Sequence, residues 1–166
     1  MATTLLTSLF IPDLKKHSPA YLLNIGSLSS FFYLPKKQVY GATKSFIYFL
    51  SKCLRHELKH ENISVSVACP GGMNTNFSVS LINRRANCVS RISILNPEKV
   101  APIVIGKMLK RKAVIVPGRM NQLSMLLNKL LPSFIKNIVT ARLMNDLRPL
   151  PLPSVIIQKD PSYKAA

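Results

Sequence analysis

The sequence predicts an α/β protein whose helices cover both faces of a small parallel sheet. Helical and extended segments alternate along the chain as helix, strand, helix, strand, helix, strand and helices, the pattern of a three-layer α/β/α architecture. The three strand candidates are short and largely apolar, as expected of strands buried on both faces. Of the 166 residues, 48% are apolar and 17% charged, which supports a packed core within one domain.

The first elements follow from leucine spacing and from a short apolar run. Leucines at helical spacing over residues 3–16 predict a helix, in which Pro12 predicts a kink or an early stop. The run AYLLNI at 20–25 predicts a fully buried parallel strand. The Gly, Ser and Pro content of residues 26–38 then predicts a loop.

The central elements are a long helix and an alternating strand. Residues 39–60 hold more apolar positions than one helix face needs, so this helix is expected to be buried on two sides. The segment ISVSVAC at 63–69 is β-branched, alternates with serine and predicts the second strand, which ends at the glycines of 70–72. Residues 73–95 mix polar and apolar side chains and predict a loop.

The later elements are opened and closed by proline and glycine. Asn96 as N-cap and Pro97 at the first helical position predict a helix to about Lys110, with Pro102 an unfavourable interior residue. The run AVIVP at 113–117 predicts the third strand.

We therefore divide the chain into three regions. Residues 1–118 form the α/β region, residues 119–147 carry two amphipathic helices at 121–131 and 133–147, and residues 148–166 form a Pro-rich tail. A three-stranded parallel sheet is small, so we expect one of its edges to be bare.

The charge balance is strongly basic, with 23 Lys and Arg against 6 Asp and Glu and a net charge of +17. Such a charge attracts nucleic acid or an anionic membrane at long range. No basic block is interleaved with aromatic residues, so we expect no nucleic-acid partner. The Lys and Arg side chains and the apolar faces of residues 107–142 fit either a lid over a substrate cleft or a contact with a membrane surface.

The cysteines give no sign of a disulfide or a metal site. Cys53, Cys69 and Cys88 are odd in number and lack metal-ligand spacing. No apolar run is long enough to span a membrane. These features predict a cytoplasmic protein without a metal, with association at a membrane surface left open.

A tyrosine and a lysine four positions apart occur three times, so their spacing alone identifies no site; the pairs are Tyr33/Lys37, Tyr40/Lys44 and Tyr48/Lys52. Tyr40 differs from the other two tyrosines because it opens the helix between the first two strands. Ser27 lies two residues after the first strand, and residues 70–72 follow the second. The carboxyl ends of parallel strands meet at one edge of a sheet, so these residues are expected to converge there.

Two stretches, LLNIGSLSSFF and VYGATKSFIYFLSKCLRHELKHENISVSVACPGGMNTNF, resemble the short-chain dehydrogenase/reductases. The resemblance rests on an N-[IV]-x-S strand exit, Y-x-[AS]-[ST]-K, the length of the following helix and a P-G-x-x-x-T turn. It covers residues from about 3 to 118. It implies a Rossmann-like fold, NAD or NADP as coenzyme, and interconversion of a carbonyl and an alcohol by hydride transfer.

The resemblance also implies roles for individual residues. Tyr40 would be the general acid/base, Lys44 would favour its phenolate and bond the nicotinamide ribose, and Ser27 would hold the substrate oxygen. The residues implied at the nicotinamide end of the coenzyme are Tyr40, Lys44, Pro70, Gly71, Gly72, Met73 and Thr75. The aromatic residues of 31–33 suggest a small apolar carbonyl or alcohol as substrate.

The chain departs from the family where the pyrophosphate binds. None of its six glycines has the spacing of the family's T-G-x-x-x-G-x-G turn, whose backbone N–H groups approach the pyrophosphate. We therefore expect the C-terminal part of such an enzyme, with the N-terminal strands missing and no measurable NAD(P)H binding. The alternatives are an inactive fragment that dimerises through helix 40–60 and a basic peripheral membrane protein.

Overall fold

The structure, a computed structural model, describes residues 2–32, 37–75, 80, 93–130, 132 and 135. The helices are α1 (Ala2–Lys16), α2 (Gln38–Glu57), α3 (Pro97–Leu109) and α4 (Arg119–Leu130), and the strands are β1 (Ala20–Ile25), β2 (Ile63–Ala68) and β3 (Val114–Ile115). Short 3-10 turns cover Leu28–Phe31 and Leu58–Glu61. Within these described ranges, no helix combines the length and apolar character needed to cross a membrane.

The three strands form one parallel sheet in the order β1-β2-β3. β1 and β2 pair over their whole length, from Ala20 opposite Ile63 to Ile25 opposite Ala68. Every residue of β2 is buried, including its serines. Ser66 remains satisfied because its hydroxyl donates to the carbonyl of Lys112 at 2.8 Å.

Helices cover both faces of the sheet and confirm the predicted three-layer fold. On one face, Ile11 and Leu14 of α1 and Leu54 of α2 pack on a cluster formed by Ala20, Leu58, Ile63 and Val65. Val100 and Val104 of α3 pack on the opposite face, against Ala68 and Ile115. α2 also contacts the end of β2 through Ile47, in a cluster that Met125 of α4 joins.

The outer edge of β1 is unpaired within the part of the chain that the structure describes. Alternate residues of a parallel strand direct their N–H and C=O groups to opposite sides. Gly26 donates to Ala68 across the sheet, so the odd-numbered residues Tyr21, Leu23 and Ile25 direct theirs to the free edge. The β1 edge is therefore bare, as predicted for a small sheet, and β3 likewise has a single strand neighbour in the described part of the chain.

The helices of the first layer expose apolar side chains on their outer faces. On α1 these are Leu5, Leu6, Leu9 and Phe10, whereas the buried residue of that helix is Thr7. On α2 the inner face packs on β2 through Ile47 and Ser51, while Phe46 and Phe49 are exposed. One side of α2 is thus buried as predicted, and the other is apolar and uncovered in the single chain.

Three local predictions differ from the structure. Of the two outcomes predicted at Pro12, the early stop is wrong, because α1 continues to Lys16 as its leucine spacing predicts. Asn96 occupies the N-cap position of α3, but its side-chain oxygen accepts from Asn74 at 2.8 Å instead of capping the helix. β3 is limited to two residues, although Val116 and Pro117 after it are also buried.

Other predictions lie mostly or wholly outside the described residues. These are the loop at 73–95, the amphipathic segment at 133–147 and the Pro-rich tail at 148–166. The division of the chain into three regions therefore remains a prediction.

Candidate functional site

The loop after β1 and the turn after β2 meet at the carboxyl edge of the sheet. The N–H of Gly26 donates to the carbonyl of Ala68 at 2.7 Å, and the N–H of Leu28 donates to that of Pro70 at 2.8 Å. A Cβ at Gly26 would lie 3.1 Å from Val67 and 3.2 Å from the carbonyl oxygen of Ala68. Glycine at this position thus lets the loop that carries Ser27 approach β2 closely.

Serine hydrogen bonds fasten the same loop to the first turns of α2. The hydroxyl of Ser30 donates to the carbonyl of Lys44 at 2.8 Å, and that of Ser45 donates to the carbonyl of Ser30 at 3.2 Å. Deeper in the molecule, the buried Asn24 donates to the hydroxyl of Ser51 at 2.9 Å. These bonds hold β1, the Ser27 loop and α2 in a fixed relation.

Lys44 links α2 to the end of β1. Its ammonium donates to the carbonyl of Ile25 at 3.0 Å and lies 6.0 Å from the centroid of the Tyr40 ring. Tyr40 itself is 48% exposed at the rim of the site. The cation therefore stands between a strand end and a phenol that solvent or a ligand can reach.

Contact between lysine and tyrosine does not distinguish this pair from its repeat along the helix. The ammonium of Lys52 lies 5.6 Å from the centroid of the Tyr48 ring, closer than in the Tyr40 pair. Tyr48, however, packs edge-on against Phe31 with ring centroids 4.9 Å apart and belongs to the core. The distinguishing feature is the bond from Lys44 to the strand end. Tyr33 lies outside the described residues.

Ser27 is buried between the two strand ends. Its side-chain oxygen accepts a bond from the N–H of Ser29 at 3.2 Å, which does not use its hydroxyl hydrogen. The backbone N–H of Ser27 in turn donates to the sulfur of Cys69. The hydroxyl of Ser27 can therefore donate to the oxygen of a ligand at this edge.

The pKa of the Cys69 thiol depends on its burial and on two neighbouring groups of the site. Burial raises the pKa of its thiol to about 11, while the Ser27 bond and the charge of Lys44 act in the opposite direction. The positive charge of Lys44 therefore acts at the end of β2.

Side chains from other segments of the chain pack against the turn after β2. A Cβ on Gly71 would lie 2.8 Å from the amide of Asn121, and one on Gly72 would lie 3.0 Å from Ile94. The turn also pairs with residue 95: the N–H of Leu95 donates to the carbonyl of Gly72 at 3.0 Å. Packing therefore requires glycine at position 71 and disfavours a side chain at position 72, independently of any coenzyme.

The remaining predicted residues of this turn lie at its two ends. Pro70 is buried, Met73 forms a bridge with Leu95, and Thr75 is exposed. Among the described side chains, Thr75 makes no contact with Tyr40 or Lys44. Its contact with a coenzyme therefore remains a prediction.

Asn121 is a residue that sequence reasoning missed. It is 1% exposed, and its amide nitrogen donates to the carbonyls of Ser93 at 3.0 Å and Pro117 at 2.9 Å. With its contact to Gly71, it joins the ends of β2 and β3 to the segment before α3. The only sequence signal is its place just after Gly118, whose positive φ of 88° favours glycine.

The residues present fit one end of a nicotinamide coenzyme. A cation, a phenol and a buried hydroxyl at a sheet edge suit a nicotinamide ribose and a reacting carbonyl. The glycine-rich turn that a pyrophosphate needs has no counterpart in the sequence. Among the described residues, no group of three His, Cys, Asp or Glu side chains could hold a metal ion.

Comparison with known proteins points to one family. The sequence model of the family described as short chain dehydrogenase matches residues 1–86. Dehydrogenase/reductase SDR family member 7B of Xenopus laevis is 27% identical over an alignment of 148 positions, which covers 82% of this chain and 44% of the relative. Very-long-chain 3-oxoacyl-CoA reductase of Rattus norvegicus is 39% identical over 64 residues, 39% of this chain and 20% of the relative.

Solved structures with the same fold contain the coenzyme. A short chain dehydrogenase from Burkholderia cenocepacia in complex with NADP has a TM-score of 0.63 and 19% identity, over 81% of this chain and 53% of that one. A short-chain dehydrogenase from Sphingobium yanoikuyae in complex with NADPH has a TM-score of 0.57 and 22% identity, over 92% and 55%. The chain thus spans less than half the length of the first relative and about half that of these structures.

Proposed function

The chain belongs to the short chain dehydrogenase family, and from that premise we propose that it is the acid–base half of an NAD(P)-dependent oxidoreductase. The reaction is the interconversion of a carbonyl and an alcohol by hydride transfer. The observation that carries the proposal is the bond from Lys44 to the carbonyl of Ile25, which brings a cation beside both Tyr40 and the loop of Ser27.

Each residue has a defined task in this reaction. Tyr40 holds the proton that moves to or from the substrate oxygen, since its phenol is exposed at the rim. Lys44 stabilises the phenolate left after proton donation, because an opposite charge nearby favours the charged form. Ser27 donates its hydroxyl hydrogen to the substrate oxygen and orients the carbonyl.

The coenzyme, when bound, supplies or accepts the hydride. Lys44 would hold the nicotinamide ribose, and the turn from Pro70 to Thr75 would border the nicotinamide ring. Asn121 packs against Gly71 and Ile94 packs against Gly72, and these contacts position the backbone of the turn. The rest of the dinucleotide needs residues that this sequence does not contain, so the 166-residue chain is expected to be inactive alone.

The substrate proposed for this site is a small apolar carbonyl or alcohol. One relative is a very-long-chain 3-oxoacyl-CoA reductase, whose name indicates an apolar acyl chain but not a small substrate. Phe31 is held in the core by Tyr48, so the pocket surface would come from other residues near the site.

The proposal can be tested by supplying the absent coenzyme half. A chimera would join the N-terminal half of the Xenopus laevis relative to this chain at the start of the matched region. We expect NADPH oxidation with small apolar aldehydes or ketones, and a loss of about 10²-fold or more in rate in the Tyr40→Phe chimera.

The matched control is Tyr48→Phe, which removes a phenol about two turns further along α2. Tyr48 has the same spacing to a lysine as Tyr40, with Lys52 as its partner. This control is expected to retain activity. Equal rates for Tyr40→Phe and the unchanged chimera would contradict the proposal. For the chain alone, we expect no change in NADPH fluorescence on titration.

We also propose that two copies associate through the outer faces of α1 and α2. Leu5, Leu6, Leu9 and Phe10 of α1 and Phe46 and Phe49 of α2 are exposed on the same side of the sheet. The combined substitution Phe46→Ser/Phe49→Ser is expected to shift the mass measured by light scattering from dimer to monomer. The control, Leu126→Ser/Leu127→Ser, changes exposed residues of α4 and is expected to leave the mass unchanged.

A further inference from the structure

The amino edge of the sheet, opposite the candidate site, gathers basic residues from three separate connections. The strands are parallel, so the turns that enter β1, β2 and β3 lie at one edge. The Lys and Arg residues at the ends of α1, α2 and α3 and in these turns form what we call the basic rim: Lys15, Lys16, Arg55, Lys59, Lys107, Lys110, Arg111 and Lys112.

Direct contacts tie the parts of the basic rim together. The ammonium of Lys15 lies 2.6 Å from the carboxylate of Glu61, which joins α1 to the turn before β2. The guanidinium of Arg55 donates to the carbonyl of Arg111 at 2.7 Å, which joins α2 to the turn before β3. The guanidinium of Arg111 lies 5.9 Å from the centroid of the Tyr21 ring in β1. The basic rim is therefore one surface.

The basic rim has more positive charge than its surroundings neutralise. Its eight cations face three carboxylates, those of Asp13, Glu57 and Glu61. Among the described residues, the ion pairs are Lys15 with Glu61 and Lys16 with Asp13. Each helix C-terminus adds only about half a negative charge. The consecutive bases Lys110, Arg111 and Lys112 are exposed and have no carboxylate partner in the described part of the chain.

Exposed aliphatic side chains adjoin this charge. Ile105 and Leu109 lie one turn apart on the outer side of α3 and are 49% and 54% exposed. Leu109 directly precedes Lys110. Lysines and arginines beside aliphatic residues are typical of surfaces that lie on anionic membranes, where the charges meet phosphates and the apolar groups enter the acyl boundary.

We propose that the basic rim, together with Ile105 and Leu109, is a docking surface for an anionic phospholipid bilayer. Single-stranded nucleic acid fits less well, because its binding surfaces present aromatic rings for base stacking and the exposed apolar residues beside the rim are aliphatic. Docking at the amino edge leaves Ser27, Tyr40 and Lys44 facing away from the bilayer. The inference does not depend on the proposed redox function.

Vesicle co-sedimentation tests this proposal. The full chain is mixed with vesicles of phosphatidylcholine alone or with added phosphatidylserine, at low and at raised salt. Each base near an anionic surface strengthens binding roughly fivefold. The variant Lys110→Gln/Arg111→Gln/Lys112→Gln is therefore expected to bind phosphatidylserine vesicles about 100-fold more weakly.

A matched control removes the same charge from the opposite edge. Lys37→Gln/Lys99→Gln/Arg119→Gln changes three exposed bases at helix N-termini. We expect this control to weaken binding only a few-fold. Equal losses in the two triple variants would overturn the proposal, because attraction would then follow net charge alone. Ile105→Ser/Leu109→Ser is expected to weaken the binding that remains at raised salt.

Two further measurements keep the outcome decisive. If the variant Lys110→Gln/Arg111→Gln/Lys112→Gln loses its circular dichroism signal, a second variant is measured in its place. This variant, Lys15→Gln/Lys59→Gln/Lys110→Gln, removes one basic side chain from each of the three connections. A duplex or single-stranded DNA that binds more tightly than the vesicles, and loses binding in the rim variant, would assign the basic rim to nucleic acid and overturn the membrane proposal. Absence of binding to both kinds of vesicle would also overturn it.

Discussion

β1 and β2 are strands of equal length in full parallel register, yet their surroundings differ. All of β2 is buried between two strands and two helical layers, whereas β1 has one strand neighbour in the described residues and ends in an exposed isoleucine. The core is therefore complete around β2 and open beside β1. The open side is also where Lys44 bonds the carbonyl of Ile25, so the candidate site lies at the boundary between the two regions.

The largest expected effect compares two isoleucines in these strands. Ile63 of β2 is 3% exposed and Ile25 of β1 is 52% exposed. Ile63→Ala is expected to lower the free energy of unfolding by about 3 kcal/mol, because it leaves a cavity in the core. Ile25→Ala is expected to cost less than about 1 kcal/mol. Urea unfolding measures both, and equal costs would mean that the β1 edge is covered in solution.

A pH effect tests how completely the end of β2 is enclosed. Burial raises the pKa of Cys69 from 9.0 to about 11. The unfolded thiol ionises first, so stability is retained below about pH 9 and falls by roughly 2–3 kcal/mol as pH rises to about 11.

The measurement is unfolding at increasing pH in a Cys53→Ser/Cys88→Ser background. The same background carrying Cys69→Ala accounts for tyrosines and lysines that titrate in that range. The difference in stability between the two is expected to be constant below about pH 9 and to change above it, as the parent loses stability that the alanine variant keeps. A pH-independent difference would show that the thiol is not shielded at the strand end.

The smallest effect compares the glycines that follow the two strands. Gly71→Ala places a Cβ 2.8 Å from Asn121 and is expected to cost about 2 kcal/mol. Gly26→Ala meets its neighbours at 3.1 Å or more and is expected to cost less. Gly106→Ala, in α3 with nothing within 4 Å, is expected to stabilise by up to about 1 kcal/mol. Thermal unfolding ranks the three, and Asn121→Ala should relieve the Gly71→Ala defect. A Gly71→Ala variant as stable as the parent would remove Asn121 as the reason for this glycine.

Much of the fold and part of the site could be predicted from local patterns. Short apolar runs and helical leucine spacing predicted the element order, and strand ends directed attention to Ser27 and Tyr40. The extent of α1 to Lys16 agrees with the leucine spacing, whereas the early stop considered at Pro12 was wrong, because the helix tolerates one lost backbone bond at an exposed position. Asn96 and Pro97 occupy the predicted N-cap and first helical positions, but the side-chain capping bond is absent, since the Asn96 oxygen accepts from Asn74 of another segment.

The sequence by itself determined the composition, the alternation of helices and strands, and the motif that pairs Tyr40 with Lys44. These depend on neighbours within a few positions. The tertiary structure decided that Lys44 reaches Ile25, that Asn121 requires glycine at position 71, and that three distant turns join their bases into one rim. Such contacts depend on how strands and helices pack, and residues far apart in sequence meet only after the chain has folded.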